Sequence, residues 1–139
     1  MPGCRAYSRH NTHSTDLDVV GVLEGFHNDF RSEFGRYFIC ECKDWSRSVD
    51  FTTIAKFCRV LDSSKCKLGI VFSQHGISGG GSGKEYASRE ILKVYQDRGI
   101  IILSIDNILL NKVAKGDNLV MLLREQYEKI RLDLITKSD

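Results

Sequence analysis

Glu41, Cys42 and Lys43 end a short run of β-branched and aromatic residues, and Asp18 stands near the start of the apolar run before it. In an extended strand alternate residues share a face. Tyr37, Ile39, Glu41 and Lys43 then lie on one side, and Phe38, Cys40 and Cys42 point away from the two charges, into the core. A carboxylate and an ammonium thus terminate a face that begins apolar. As a surface ion pair they would be worth roughly 0–1 kcal/mol. As a site they could do more. Asp18 and Glu41, from neighbouring strands, are hard oxygen donors of the kind that hold a divalent cation such as Mg2+, which keeps several of its waters. The main-chain carbonyl of Cys42 would be a further ligand. Lys43 would stand beside a metal-bound water, positioning or deprotonating it, and would neutralise charge on a phosphate. An acid-x-Lys triplet is common by chance, so spacing alone leaves both readings open.

The elements that must position these residues follow from periodicity. Leu17 to Leu23 is short and β-branched, a strand. Glu24 to Gly35 is polar and rich in turn formers, and with Phe26, Phe30 and Phe34 it reads as a packed-down loop or an extension of the hairpin. Arg36 to Lys43 is the second strand. Asp50 is an N-cap for a helix over about residues 51–63, where Phe51, Ile54, Phe57, Cys58 and Leu61 recur at helical spacing. Lys67 to Ser73 reads as a buried strand, and Gly76 to Gly83 as a glycine-serine loop. Residues 84–98 read as a helix ending at Gly99, Ile100 to Ile105 as a strand covered on both faces, and about 118–135 as a long amphipathic helix. The first two strands are joined too closely for a crossover, so they form an antiparallel hairpin; the later ones alternate with helices and run parallel. The expected fold is α/β, a mixed central sheet flanked by helices. Residues 1–15 form an irregular arm with Arg5, Arg9, His10 and His13 and no acid, and residues 16–139 form one domain.

Composition narrows the function classes. With 139 residues, 42% apolar and 27% charged, the chain suits a single globular domain. A net charge of +2, from 20 Lys and Arg against 18 Asp and Glu, does not by itself announce nucleic-acid binding. No apolar run approaches the roughly 20 residues of a membrane span, and no apolar stretch follows the N-terminal charges, so neither membrane insertion nor a secretory signal is expected. The five cysteines include no CxxC pair for zinc; they read as reduced, mostly small core residues of a cytoplasmic protein.

The pattern Asp18, then Glu41-Cys42-Lys43 on successive strands, resembles the PD-(D/E)XK nuclease superfamily, the restriction-endonuclease-like fold. More narrowly, Tyr37-Phe-Ile-Cys-Glu-Cys-Lys-Asp-Trp45, an apolar helix, then Gly69-Ile-Val-Phe-Ser73 and Gly76, resembles its Mrr-like branch. The likeness spans about residues 16–110. It implies a Mg2+- or Mn2+-dependent endonuclease that hydrolyses phosphodiester bonds in DNA, with Asp18, Glu41 and Lys43 as catalytic residues and Asp18, Glu41 and the Cys42 carbonyl as metal ligands. It also implies a homodimer, since such enzymes often pair to cut two strands. Asp18 is preferred to Asp16 because it directly precedes Val19 and Val20 within the strand; both would fall on one face. Leu17 stands where the motif has proline. The family core opens with a helix that often bears an acid, and residues 1–15 hold no counterpart. The alternative is a non-catalytic nucleic-acid- or protein-binding module that retains the fold; a subunit associating through its C-terminal helix is a third reading.

Ser73, Gln74 and His75, at the end of the third strand, are candidate phosphate contacts or simple loop filling. Gly79-Gly-Gly-Ser-Gly-Lys84 lacks the spacing of a phosphate-binding loop, since Glu85 follows the lysine. Trp45 packs at the core rim or stacks on a base. Arg47 and Lys56 read as solvated basic residues. His10, His13 and His27 have no partners at ligand spacing.

Overall fold

The computed structural model describes residues 4–11, 16–23, 29–43, 46, 48–77 and 87–137. Ten elements follow in order: β1 (Cys4–Asn11), β2 (Asp16–Leu23), α1 (Asp29–Phe34), β3 (Tyr37–Lys43), α2 (Phe51–Ser63), β4 (Leu68–Ser73), α3 (Ala87–Arg98), β5 (Ile101–Ile105), α4 (Asn107–Ala114) and α5 (Leu119–Lys137). The strands form one sheet in chain order, β1-β2-β3-β4-β5. β1, β2 and β3 pair antiparallel, whereas β3, β4 and β5 run parallel. Parallel neighbours need a crossover, and α2 and α3 supply the two required.

The apolar runs of β3, β4 and β5 are covered on both faces. Ile39, Val71 and Ile102 meet Ile54, Phe57, Cys58 and Leu61 of α2 and Ile91 and Val94 of α3. On the opposite face Phe38, Cys40, Ile70, Ile101 and Leu103 meet Leu123 and Tyr127 of α5 and Phe34 of α1. The stripe of α5 therefore packs on its own sheet. Each such fully buried aliphatic contributes roughly 1.5–3 kcal/mol. Asp50 caps α2 as the sequence indicates, its carboxylate accepting from Thr53 N–H at 2.9 Å. β5 is an edge strand, and Gln126 closes that edge. Its amide donates to Ser104 O at 2.6 Å and accepts from Ser104 N–H at 3.0 Å, as a neighbouring strand would.

Four expectations are corrected. The N-terminal arm is not irregular throughout, because Cys4–Asn11 is a strand paired to β2. The segment after β2 is not wholly loop, because α1 occupies Asp29–Phe34. A further helix, α4, follows β5 with Asp106 as its N-cap. Cys42 is exposed rather than in the core, although Cys40, Cys58 and Cys66 are buried. It shares the face of Phe38 and Cys40, but helical cover thins toward the end of β3, where its neighbour Phe72 is only half-buried. Among the described residues no helix is long and apolar enough to cross a membrane.

Candidate active site

β3 places the two charges. Ile39, 1% exposed, is seated among the α2 side chains, and alternation carries Glu41 and Lys43 outward along the same face to the strand's carboxyl end. There Lys43 Nζ lies 2.7 Å from Glu41 Oε1, with the two side chains 29% and 24% exposed. The pair is half-buried.

β2 adds Asp18. The antiparallel register sets Val20 opposite Ile39 and Val19 opposite Cys40. The paired residues run as far as Val19 and Cys40, the immediate chain neighbours of Asp18 and Glu41. Asp16 sits two residues nearer the start of β2 and is paired to Asn11 of β1.

β4 adds Ser73. The parallel register sets Glu41 beside Val71 and Lys43 beside Ser73. Ser73 is buried, and its Oγ has no hydrogen-bond partner among the described residues. The turn after it is tied down from several sides. Gly76 N–H donates to Ser73 O at 3.2 Å, Gly76 O accepts from Val49 N–H at 2.8 Å, and Gln74 O accepts from Asn107 N–H at 3.4 Å. Gly76 has φ +69°, and a Cβ there would lie 3.3 Å from Asp106 Oδ2, so glycine suits both the backbone and the space.

At the carboxyl ends of β3, β4 and β5 opens a cleft of about 430 Å³. Lys43, Ser73 and Gln74 line it, facing the apolar side chains of Phe72, Ile105 and Leu110. Crevices at the carboxyl ends of parallel strands are where open α/β sheets bind ligands. His75 is exposed on the turn and does not line the cleft. Lys56 is exposed on α2. Trp45, Arg47, His13, His27 and the Gly79–Lys84 run lie outside the described residues. The wall made by Leu110 was hidden from sequence reasoning; the signal for α4 was Asp106, a capping residue directly before Asn-Ile-Leu-Leu.

The donor chemistry fits a small hard cation. The Asp18 and Glu41 carboxylates and the main-chain carbonyl of Cys42 are all oxygen donors. Mg2+ is ordinarily held by one or two carboxylates plus substrate phosphates and waters rather than by an all-protein cage. The described residues contain no group of three or more His, Cys, Asp or Glu side chains placed to hold a metal. Set against protein-family models, curated proteins and solved structures, the chain matches none.

Proposed function

We propose that this protein is a metal-dependent endonuclease of the restriction-endonuclease-like, PD-(D/E)XK kind, hydrolysing phosphodiester bonds in DNA. The observation that carries the reading is the Glu41–Lys43 pair at the carboxyl end of β3, with Asp18 on the neighbouring strand β2, next to Val19, which pairs with Cys40. Asp18, Glu41 and the Cys42 carbonyl would hold Mg2+ or Mn2+. Such an ion, when bound, polarises a phosphoryl oxygen and acidifies a water. Lys43 is the chain's own contribution to charge: its ammonium, held at the cleft by the Glu41 carboxylate, offers donors to a phosphate oxygen as negative charge develops there. The strand order supports the reading too. The expected antiparallel pair, here β2 and β3, is followed by α2 and the parallel strand β4.

The test is conversion of supercoiled plasmid to nicked and linear forms with Mg2+ or Mn2+, beside EDTA controls. Lys43→Ala and Glu41→Gln should each lower the rate by about 100-fold or more, the scale of removing a preorganised charge-stabilising group. Unchanged cleavage in Lys43→Ala would sink the assignment. DNA affinity should fall with rising salt, because binding releases phosphate counterions. A second reading, a non-catalytic nucleic-acid- or protein-binding module on the same fold, is favoured by the 2.7 Å Glu41–Lys43 contact, which engages each group with the other. It predicts no Mn2+ binding that depends on Asp18 and Glu41, which calorimetric titration would show.

A further inference from the structure

Ser73 ends β4 at 5% exposure, and its Oγ is enclosed without a hydrogen-bond partner among the described residues. Buried hydroxyls are almost always paired, because water satisfies them fully in the unfolded chain. Alanine would fill the same strand position without leaving a donor unmet. The hydroxyl is thus suited to something that is not part of the folded chain, and its surroundings indicate what. Its register partner is Lys43, and both line the cleft of about 430 Å³ at the carboxyl ends of β3, β4 and β5. That volume lies within the range of small-molecule sites, roughly 300–1,000 Å³. Phe72, Ile105 and Leu110 give the cleft its apolar wall, Leu110 being a large aliphatic residue left 45% exposed, and Cys42, Gln74 and Asn107 complete the lining. A cation, a hydroxyl and two amides beside an apolar wall match a phosphate joined to a sugar and a base. The anion needs charge and donors, and the nucleoside needs an apolar surface.

We propose that this cleft seats one nucleotide of the substrate, with Ser73 Oγ donating to a non-bridging phosphate oxygen beside Lys43 and the sugar and base lying against Phe72, Ile105 and Leu110. The inference rests on the nuclease reading and adds a substrate-binding residue to it. The experiment combines three readouts on wild type, Ser73→Ala and Leu110→Ala: plasmid cleavage kinetics, thermal unfolding, and titration with thymidine 5′-monophosphate, thymidine and inorganic phosphate. Ser73→Ala should unfold at the wild-type temperature or above it, having lost an unmet donor, while KM for DNA and Kd for thymidine 5′-monophosphate rise about tenfold. Leu110→Ala, an exposed change, should weaken the nucleotide and leave inorganic phosphate unchanged. Thymidine 5′-monophosphate should bind more tightly than either of its parts. Wild-type cleavage with unaltered KM and nucleotide affinity in Ser73→Ala would overturn this inference and leave the nuclease reading standing. Ser73-dependent nucleotide binding in a protein that cuts no DNA would overturn the nuclease reading and retain the nucleotide seat. Phosphate binding as tightly as the nucleotide would overturn the role given to the apolar wall.

Discussion

Replacing Gly69 by alanine should loosen the α2 face of the sheet. Gly69 is the second residue of β4, paired to Ile39 on one side and Ile102 on the other. A Cβ built there would lie 2.6 Å from Leu61 Cδ1 and 2.8 and 2.9 Å from two ring carbons of Phe57. Carbon atoms in good contact sit about 3.5–4.0 Å apart, so the shortfall is about 1 Å at each. Phe57 and Leu61 are four residues apart on α2, at 3% and 0% exposure, so neither can turn aside into open space. Relief must come from lifting the helix. Overpacking of this kind costs roughly 1–3 kcal/mol, and the unfolded chain's lost freedom on going from glycine to alanine returns roughly 0.4–1 kcal/mol. The net is about 1–2 kcal/mol. For a domain of this length that lowers Tm by about 3–10 °C and the urea midpoint in proportion, with an unchanged slope. A double-mutant cycle sharpens the test. Introduced into Leu61→Ala, the same change should cost less than in wild type, because one clashing carbon is gone. Strict additivity, or a Gly69→Ala protein as stable as the parent, would refute the close seating of α2 on β4.

Gln126→Ala should cost about 1–2 kcal/mol, since both edge groups of Ser104 lose their partner. It should also raise concentration-dependent light scattering by baring the β5 edge. Tyr127 donates to the Glu33 carboxylate and accepts from Arg131 at 2.8 Å, binding α1 to α5. Tyr127→Phe should therefore speed amide exchange across Asp29–Phe34 more than across α2, at a cost of about 1 kcal/mol. Burial pushes the Cys58 thiol up to about 12, with nearby Glu90 adding to the effect. The folded state then keeps its proton where the unfolded thiol has lost it, so this contribution to stability falls as pH rises from 9.0 toward about 12. Urea midpoints across that interval should decline less steeply in Cys58→Ala, although the variant is weaker at neutral pH because of the cavity.

What the sequence reveals and what it hides divides along a physical line. Relations within one strand or helix are periodic, and they are legible. Period 2 put Glu41 and Lys43 on one face of β3, and the structure brings them to 2.7 Å. Helical spacing identified α2, α3 and α5 with the side chains they bury. Elements whose residues need not be apolar left no such trace. β1 reads Cys-Arg-Ala-Tyr-Ser-Arg-His-Asn because an edge strand is held by hydrogen bonds to one neighbour and can carry polar side chains. α1 is six residues long, and its buried Phe34 is four residues after Phe30, a spacing too brief to stand out from a loop. α4 buries none of its residues, so no periodic apolar stripe marked it between β5 and α5.

Relations between strands were the harder part, and the site depends on them. That Ser73 comes level with Lys43 follows from register, which a one-residue slip would invert face for face. Register here is held by the buried residues two steps away: Ile39 and Val71, at 1% and 0% exposure, lock β3 against β4 through the α2 side chains. The polar cluster at the strand ends is carried there by the core. Cys42 shows the converse. Alternation assigned its face correctly, but burial depends on how far the covering helices reach, and they stop short of the end of β3. The same shortfall of cover that exposes Cys42 opens the cleft beside Lys43 and Ser73, so the place where the periodic argument for burial failed is the place where a ligand has room to bind.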